Sequence, residues 1–260
     1  ATIKTITPAF GGINLEDISA PRCFEIEERL KKELDIPVMH DDQHGTAIVV
    51  LAALINAAKV VKKKLIDLKI VINGAGAAGT AVAKLLIKAG VRNILILDSK
   101  GIIHKRRKGL EPHKKALAGI TNKRGLGGGL AEAILGADVF IGVSGPNLLK
   151  PAHIKMMAES PIVFALANPI PEIAPDVAKK AGAAIVATGR SDFPNQINNS
   201  LAFPGIFRGA LDNKIRQITD KMKLRAAYAI AGLAGNPTPQ KIIPSMFDKR
   251  LVKKVGSTIK

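Results

Sequence analysis

Tryptophan is absent from these 260 residues, tyrosine and cysteine occur once each, and aromatic residues make up only 3% of the chain. With Cys23 as the sole cysteine no intramolecular disulfide can form, which fits a reducing compartment such as the cytoplasm. Cys23 stands beside Phe24 and Ile26 in a helical pattern and reads as a small buried apolar residue, not a nucleophile. So few rings leave little on which to stack unpaired bases, and no nucleic-acid module signature occurs. This weighs against a nucleic-acid partner, although 39 basic against 21 acidic residues leave a formal charge of +18. A solvated basic surface that attracts small anions accounts for that charge more simply. Long hydrophobic runs are also scarce. The longest, residues 46–58, contains Asn56 and is too short to cross a bilayer, so it reads as a core helix and no membrane partner is expected.

What the chain does have is alternation. Residues 69–73 form a short apolar run that ends in a glycine-rich turn. A helical pattern follows, with Ala81, Val82, Leu85, Leu86 and Ala89 on one face and Gly90 as its stop. Further apolar runs lie at 94–98, 139–143, 162–166 and 184–187, separated by helical or irregular segments at 130–135, 151–158 and 174–181. Continuously apolar strands alternating with helices predict a parallel sheet covered on both faces. The fold expected is α/β, a doubly wound Rossmann-type sheet over residues 43–198, with residues 1–42 and 199–260 as remnants of a second, substrate-side and metal-side domain. Before the sheet the pattern gives a helix at 21–34, a strand at 37–40 and a long helix from Gly45. After it come helices at 201–217 and 221–233. The basic, glycine-rich stretch 105–129 reads as a surface excursion with a short helix near 112–118, and the weakly patterned tail 236–260 as loosely docked.

Gly74, Gly76 and Gly79 form G-x-G-x-x-G at a strand-to-helix junction. Such a turn bends tightly, admits a pyrophosphate against its backbone and lets the helix pack closely. Asp98 ends the next strand nineteen positions after Gly79, near the spacing expected of an acid that holds an adenosine ribose. A carboxylate there would repel a 2′-phosphate and so favours NAD. Ser99 and Lys100 could receive that phosphate if Asp98 turned away, which leaves NADP open.

The acids are few, so where they cluster matters. Glu16 and Asp17 follow a glycine pair, and Asp41 and Asp42 stand between a strand and a helix. Converging, they would make a hard oxygen site for Mg2+ or Mn2+. Alternatively, Asp41 or Asp42 caps the helix and Glu16-Asp17 is a solvated turn. His40 and His44 raise a zinc alternative that lacks a third soft ligand nearby. Asn168 lies just past a strand end, where ligands bind in open α/β sheets, and Asn198-Asn199 precede a Phe-Pro-Gly turn. Their amides can hold carboxylate and hydroxyl oxygens, although asparagine is also an ordinary turn former.

Six segments together resemble the malic enzyme family, in its shorter bacterial and archaeal type: FGGINLEDI (10–18), VMHDDQHGTA (38–47), INGAGAAG (72–79), FALANPIPE (164–172), ATGRSDFPNQ (187–196) and LAFPGIFRG (201–209). The resemblance implies oxidation of L-malate to pyruvate and carbon dioxide with reduction of NAD or NADP. It implies Glu16, Asp17 and Asp42 as ligands of Mg2+ or Mn2+, with Asp41 as the neighbouring acid that organises them. It places Gly74, Gly76, Gly79 and Asp98 on the dinucleotide, with Thr46 near its approach. Asn168 and Asn199 would hold malate or pyruvate and the nicotinamide, with Asn198 their neighbour. A homo-oligomer is implied too. The family's general base and acid, a lysine and a tyrosine, lie upstream of the segment that begins at Phe10, and the sole tyrosine here, Tyr228, matches no catalytic position. The chain is therefore expected to be a fragment that binds dinucleotide and turns over malate poorly alone. The competing class is a non-catalytic dinucleotide-binding module derived from such an enzyme, which would have no need of the carboxylate and asparagine clusters.

Overall fold

The computed structural model describes residues 2–260. The chain opens with helix α1 (Thr2–Ile6), strand β1 (Ile13–Leu15), helix α2 (Arg22–Glu33) and strand β2 (Val38–His40), which runs straight into helix α3 (Asp41–Val60). β1 and β2 pair in parallel as a separate two-stranded sheet, and its Leu15 and Val38 form a small core with Leu30 of α2. The main sheet then follows: β3 (Lys69–Asn73), α4 (Ala77–Lys88), β4 (Asn93–Asp98), β5 (Gly101–Ile102), α5 (Pro112–Ile120), α6 (Leu130–Ile134), β6 (Val139–Gly142), α7 (Pro151–Lys155), β7 (Ile162–Ala165), α8 (Pro175–Lys180) and β8 (Ile185–Thr188). Helices α9 (Phe203–Asp212), α10 (Asp220–Leu233) and α11 (Leu251–Gly256) close the chain.

The six strands lie in the order β5-β4-β3-β6-β7-β8, all parallel except the short edge strand β5. The chain enters at β3, winds outward to β4 and β5, then returns to β6 on the other side of β3. That reversal leaves a crevice at the carboxyl ends of β3 and β6, the place where ligands bind in open parallel sheets. Alternate residues face opposite layers. Ile70, Ile72, Ile141 and Phe164 join a core with α3, α4 and α10, whereas Val71, Phe140, Val163 and Ala165 join another with α6, α7 and α8. Both faces are dry, which is why each strand is a continuous apolar run and not an alternating one.

Helix α3 is the spine of the first layer. It begins at Asp41, a turn earlier than its apolar pattern predicts, because the polar residues 41–44 already have helical backbone. Within its apolar stretch the buried Asn56 donates to the carbonyls of Ala231 and Ile242 at 2.9 Å each, so neither of its amide hydrogens is left unpaired. Among the described residues it is the one helix long and apolar enough to span a membrane, and its apolar window is mostly buried within the protein.

Two further expectations need correction. The segment predicted as a helix at 201–217 is a 3-10 turn (Asn199–Leu201) followed by the shorter α9, which ends where Asn213 and left-handed Lys214 break the helical backbone. The tail is not loosely docked: Leu251, Val255 and Ile259 are buried in the main core, and Asn195 ties the tail down through Pro239 O (2.8 Å) and Ile242 N (2.9 Å). The pattern underrates this stretch because few, well-spaced apolar residues carry its burial.

Candidate coenzyme and metal site

The turn between β3 and α4 uses its three glycines in three ways. Gly74 has φ +128°, and an added Cβ would lie 2.7 Å from the carbonyl oxygen of Val143, so both backbone and space exclude a side chain. At Gly79 an added Cβ would sit 1.7 Å from Gly74 O, so the helix rests directly on the turn. Around Gly76 there is open space within 4 Å, and that space is the crevice. The crevice has a volume of about 840 Å³ and is lined by Gly74, Gly76, Asp98, Ser99 and Ser144 among others, with the N-terminus of α4 opening onto it. Unpaired N–H groups and the positive end of the helix dipole suit that opening to a phosphate.

Asp98 ends β4 on the crevice wall, as its spacing predicts, but its carboxylate is already engaged. Arg107 Nη2 lies 2.7 Å from both oxygens, Lys114 Nζ 3.3 Å from one, and the Lys100 N–H donates at 2.9 Å. Burial alone would raise its pKa; the Arg107 bonds, with those from Lys100 and Lys114, outweigh burial and hold it below the usual carboxylate value. Neither Arg107 nor Lys114 is singled out by sequence reasoning. Each lies in a basic run that looks like solvated surface.

A second cavity of about 430 Å³ adjoins the first, sharing Val143 and Ser144 with it. Glu16, Asp42, Thr46, Asn168, Asn198 and Asn199 all line it. Six residues from four separate stretches of chain thus meet beside the coenzyme crevice. Asp17 is the exception: its carboxylate is not among the lining groups, and its backbone N–H donates instead to Asp42 Oδ2 at 2.9 Å from a left-handed backbone, φ 56°. Asn198 accepts from Ser200 N at 2.9 Å and so also caps the 3-10 turn that presents Asn199.

Asp41 is fully buried. Its Oδ2 accepts from Asn199 Nδ2 at 2.8 Å, while Oδ1 has no partner. Burial, and then the nearby charges of Glu16 and Asp42, push its pKa up to about 7. The capping alternative fails here, because His40 occupies the N-cap of α3 and neither Asp41 nor Asp42 bonds to a first-turn N–H. For the zinc alternative, His40 and His44 belong to no group of three His, Cys, Asp or Glu donors among the described residues, and His44 bonds to Glu27.

These residues suit a hard cation. The donors are carboxylate oxygens, the charges of Glu16 and Asp42 help to raise the pKa of Asp41, and in a chain rich in lysine none of the three has a lysine or arginine partner among the described residues. Among the described residues no three His, Cys, Asp or Glu side chains are already gathered around one point, so the donors would have to draw together on a cation.

Two buried acids that pattern reading passes over brace these walls. Glu172 accepts from the N–H groups of Ser144 (3.2 Å) and Ala167 (3.1 Å), fixing the strand ends where the two cavities meet. Burial pushes its pKa up. Glu27, on α2, lies behind the Asp41-Asp42 pair. Burial raises its pKa, but the hydrogen bond from His44 and the ammonium of Lys31 outweigh that and bring it to about 2. Burial drives His44 down to about 4, so near neutrality it is an uncharged donor.

An open parallel sheet, a three-glycine turn at its reversal point and an acid at the end of the next strand define a Rossmann-class dinucleotide-binding domain. A family model described as the malic enzyme NAD-binding domain matches residues 43–256, and the chain belongs to the malic enzyme family. It is 57% identical to an NAD-dependent malic enzyme of Geobacillus stearothermophilus, over 99% of this chain and 54% of that protein. It is 48% identical to an NADP-dependent malic enzyme of Halomonas elongata, over 99% of this chain and 65% of that one. The crystal structure of an NAD-dependent malic enzyme from Thermotoga maritima superposes with a TM-score of 0.96 at 50% identity, over all of this chain and 69% of the other. The chain thus spans little more than half of the first of these relatives and about two thirds of the others.

Proposed function

We propose that this chain supplies the coenzyme site and the metal side of a malic enzyme, which oxidises L-malate to pyruvate and carbon dioxide with NAD or NADP as hydride acceptor. Residues 43–198 form the coenzyme domain in this reading, flanked by residues 1–42 and 199–260 on the substrate side. The observation that carries it is the junction of the two cavities at Val143 and Ser144, which sets the carboxylate and asparagine cluster against the open end of the dinucleotide crevice. The glycine turn and the N-terminus of α4 hold the pyrophosphate. Asn168 and Asn199 offer amide hydrogens to the oxygens of a small dicarboxylate and fix which face of its C2 meets the nicotinamide. Glu16 and Asp42, with Asp17 beside them, would hold Mg2+ or Mn2+, and a bound divalent cation supplies Lewis-acid charge to an oxygen of the substrate. Asp41 orders this group through Asn199. Tyr228, the one tyrosine, is exposed on α10 and lines neither cavity, so it does not move a proton here.

The coenzyme reading extends to both dinucleotides. The preference for NAD rests on a carboxylate that repels a 2′-phosphate, yet Asp98 is neutralised by Arg107 and Lys114. The ribose end therefore carries hydrogen-bond acceptors for NAD and cations for NADP. Replacing Arg107 with Ala is expected to weaken NADP binding roughly 10-fold or more, since a charge-assisted bond to phosphate is lost. NAD binding should change far less. Equal losses for both coenzymes would remove the argument for Arg107.

Calorimetric titration of the chain with NAD, NADP and Mn2+, alone and with malate, tests the whole reading. Dinucleotide should bind without metal, and malate should bind measurably tighter with Mn2+ present. Failure of Asp42→Asn to weaken Mn2+ would sink the metal assignment, and absence of dinucleotide binding would sink the rest.

A further inference from the structure

Asp42, a proposed metal donor, and Asp41, which orders the donors through Asn199, are consecutive residues at the junction where β2 turns into α3. Behind it Glu27 reaches across from α2, buried to 5% exposure, and grips both sides of the pair. On the strand side its Oε1 accepts the backbone N–H of His40 at 3.2 Å. On the helix side its Oε2 accepts from Gln43 Nε2 at 3.3 Å and His44 Nε2 at 3.0 Å. Lys31, one turn along α2, balances the charge at 2.5 Å. One carboxylate thus spans residues 40 to 44, and between its two grips Asp41 is held by Asn199 while Asp42 lines the cavity.

We infer that Glu27 is a positioning residue for the metal site, a clip that fixes the backbone of Asp41 and Asp42 without touching the cation. This inference rests on the metal reading above. Its physical basis is that residues holding ligands in place set how much order a cation must impose when it binds, and their loss commonly weakens metal affinity 10- to 100-fold. Glu27 lines neither the coenzyme crevice nor the carboxylate cavity. A clip should therefore act on the metal and leave the coenzyme alone, whereas a residue that only stabilises the fold would weaken both.

The test is Mn2+ binding, followed by electron paramagnetic resonance of the free ion, with NAD binding measured on the same samples. Glu27→Ala should raise the Mn2+ dissociation constant roughly 10-fold or more, with NAD affinity within about twofold of wild type. Glu27→Gln keeps an acceptor for His40 N and should recover part of the Mn2+ loss. If Glu27→Ala does not fold, the double variant Gln43→Ala/His44→Ala releases the helix side alone and should weaken Mn2+ several-fold. Wild-type Mn2+ affinity in Glu27→Ala, or in that double variant, overturns the clip while leaving the metal site standing. A wild-type chain that binds Mn2+ no better than Asp42→Asn overturns both.

Discussion

Replacing Gly79 with Ala should cost the protein both stability and coenzyme, whereas the same change at Gly76, three residues earlier, should cost coenzyme alone. At Gly79 the new methyl would stand 1.7 Å from the carbonyl oxygen of Gly74, a backbone atom that no rotamer change can move aside. Helix α4 must lift from the turn, and α4 packs on α3 in the middle of the main core. A loss of about 3 kcal/mol is expected for such overpacking, with a fall in Tm of roughly 6–12 °C in a chain of this length. The phosphate cradle moves with the helix, so dinucleotide affinity should drop by about 100-fold. Gly76 has an ordinary negative φ of −82° and open space where a Cβ would go. Gly76→Ala should leave Tm within about a degree, because nothing in the folded chain meets the methyl. It should still weaken NAD about 10-fold or more, because the methyl occupies the approach of the pyrophosphate. Thermal melts and calorimetry on the two variants separate the roles. A Gly79→Ala protein with unchanged Tm would mean that α4 does not rest on the turn.

That contrast shows which parts of the molecule a sequence can display. The sheet was legible because both its faces are buried: strands such as residues 162–165 have no polar partner face to blur the signal. The glycine turn and Asp98 were legible because their spacing follows from strand and helix lengths. The meeting of Glu16, Asp42, Asn168 and Asn199 in one cavity was reached only through family resemblance. Spacing alone cannot distinguish a gathered set of donors from capping and turn residues, and Asn198 in fact caps a turn while lining the cavity. Least legible were the braces. Glu27 looks like any charged residue of an amphipathic helix, with a lysine four positions on, yet its carboxylate is inside the protein. Arg107 looks like part of a solvated basic run, yet it closes on Asp98 nine residues away. Each is defined by a long-range contact, and period and composition carry no trace of such contacts.

The start of α3 leads to the second large effect, and its sign runs against helix propensity. Gly45 lies in the first turns of that helix, where Ala is ordinarily favoured by about 0.5–1 kcal/mol. Gly45→Ala should nevertheless destabilise this protein by roughly 2–3 kcal/mol. The carboxylate of Asp41, one turn earlier, folds back over residue 45, so that a Cβ there would lie 1.9 Å from Asp41 Oδ1 and 3.0 Å from Cβ of Asn199. Relief requires Asp41 to swing away. That breaks its 2.8 Å bond from Asn199 and leaves a buried charge or a buried amide without its partner. The clash belongs to a pair, so it should vanish when the other member is shortened: Asp41→Ala/Gly45→Ala should regain most of the loss, giving a coupling energy near 2 kcal/mol in a double-mutant cycle read from denaturant melts. Mn2+ affinity should fall in both variants, because one displaces the Asp41 carboxylate and the other removes it, so stability and metal binding part company only in the double variant. A Gly45→Ala chain as stable as wild type, or more so, would mean that Asp41 does not lie against the helix, and the ordering of the metal side by Asn199 would lose its foundation.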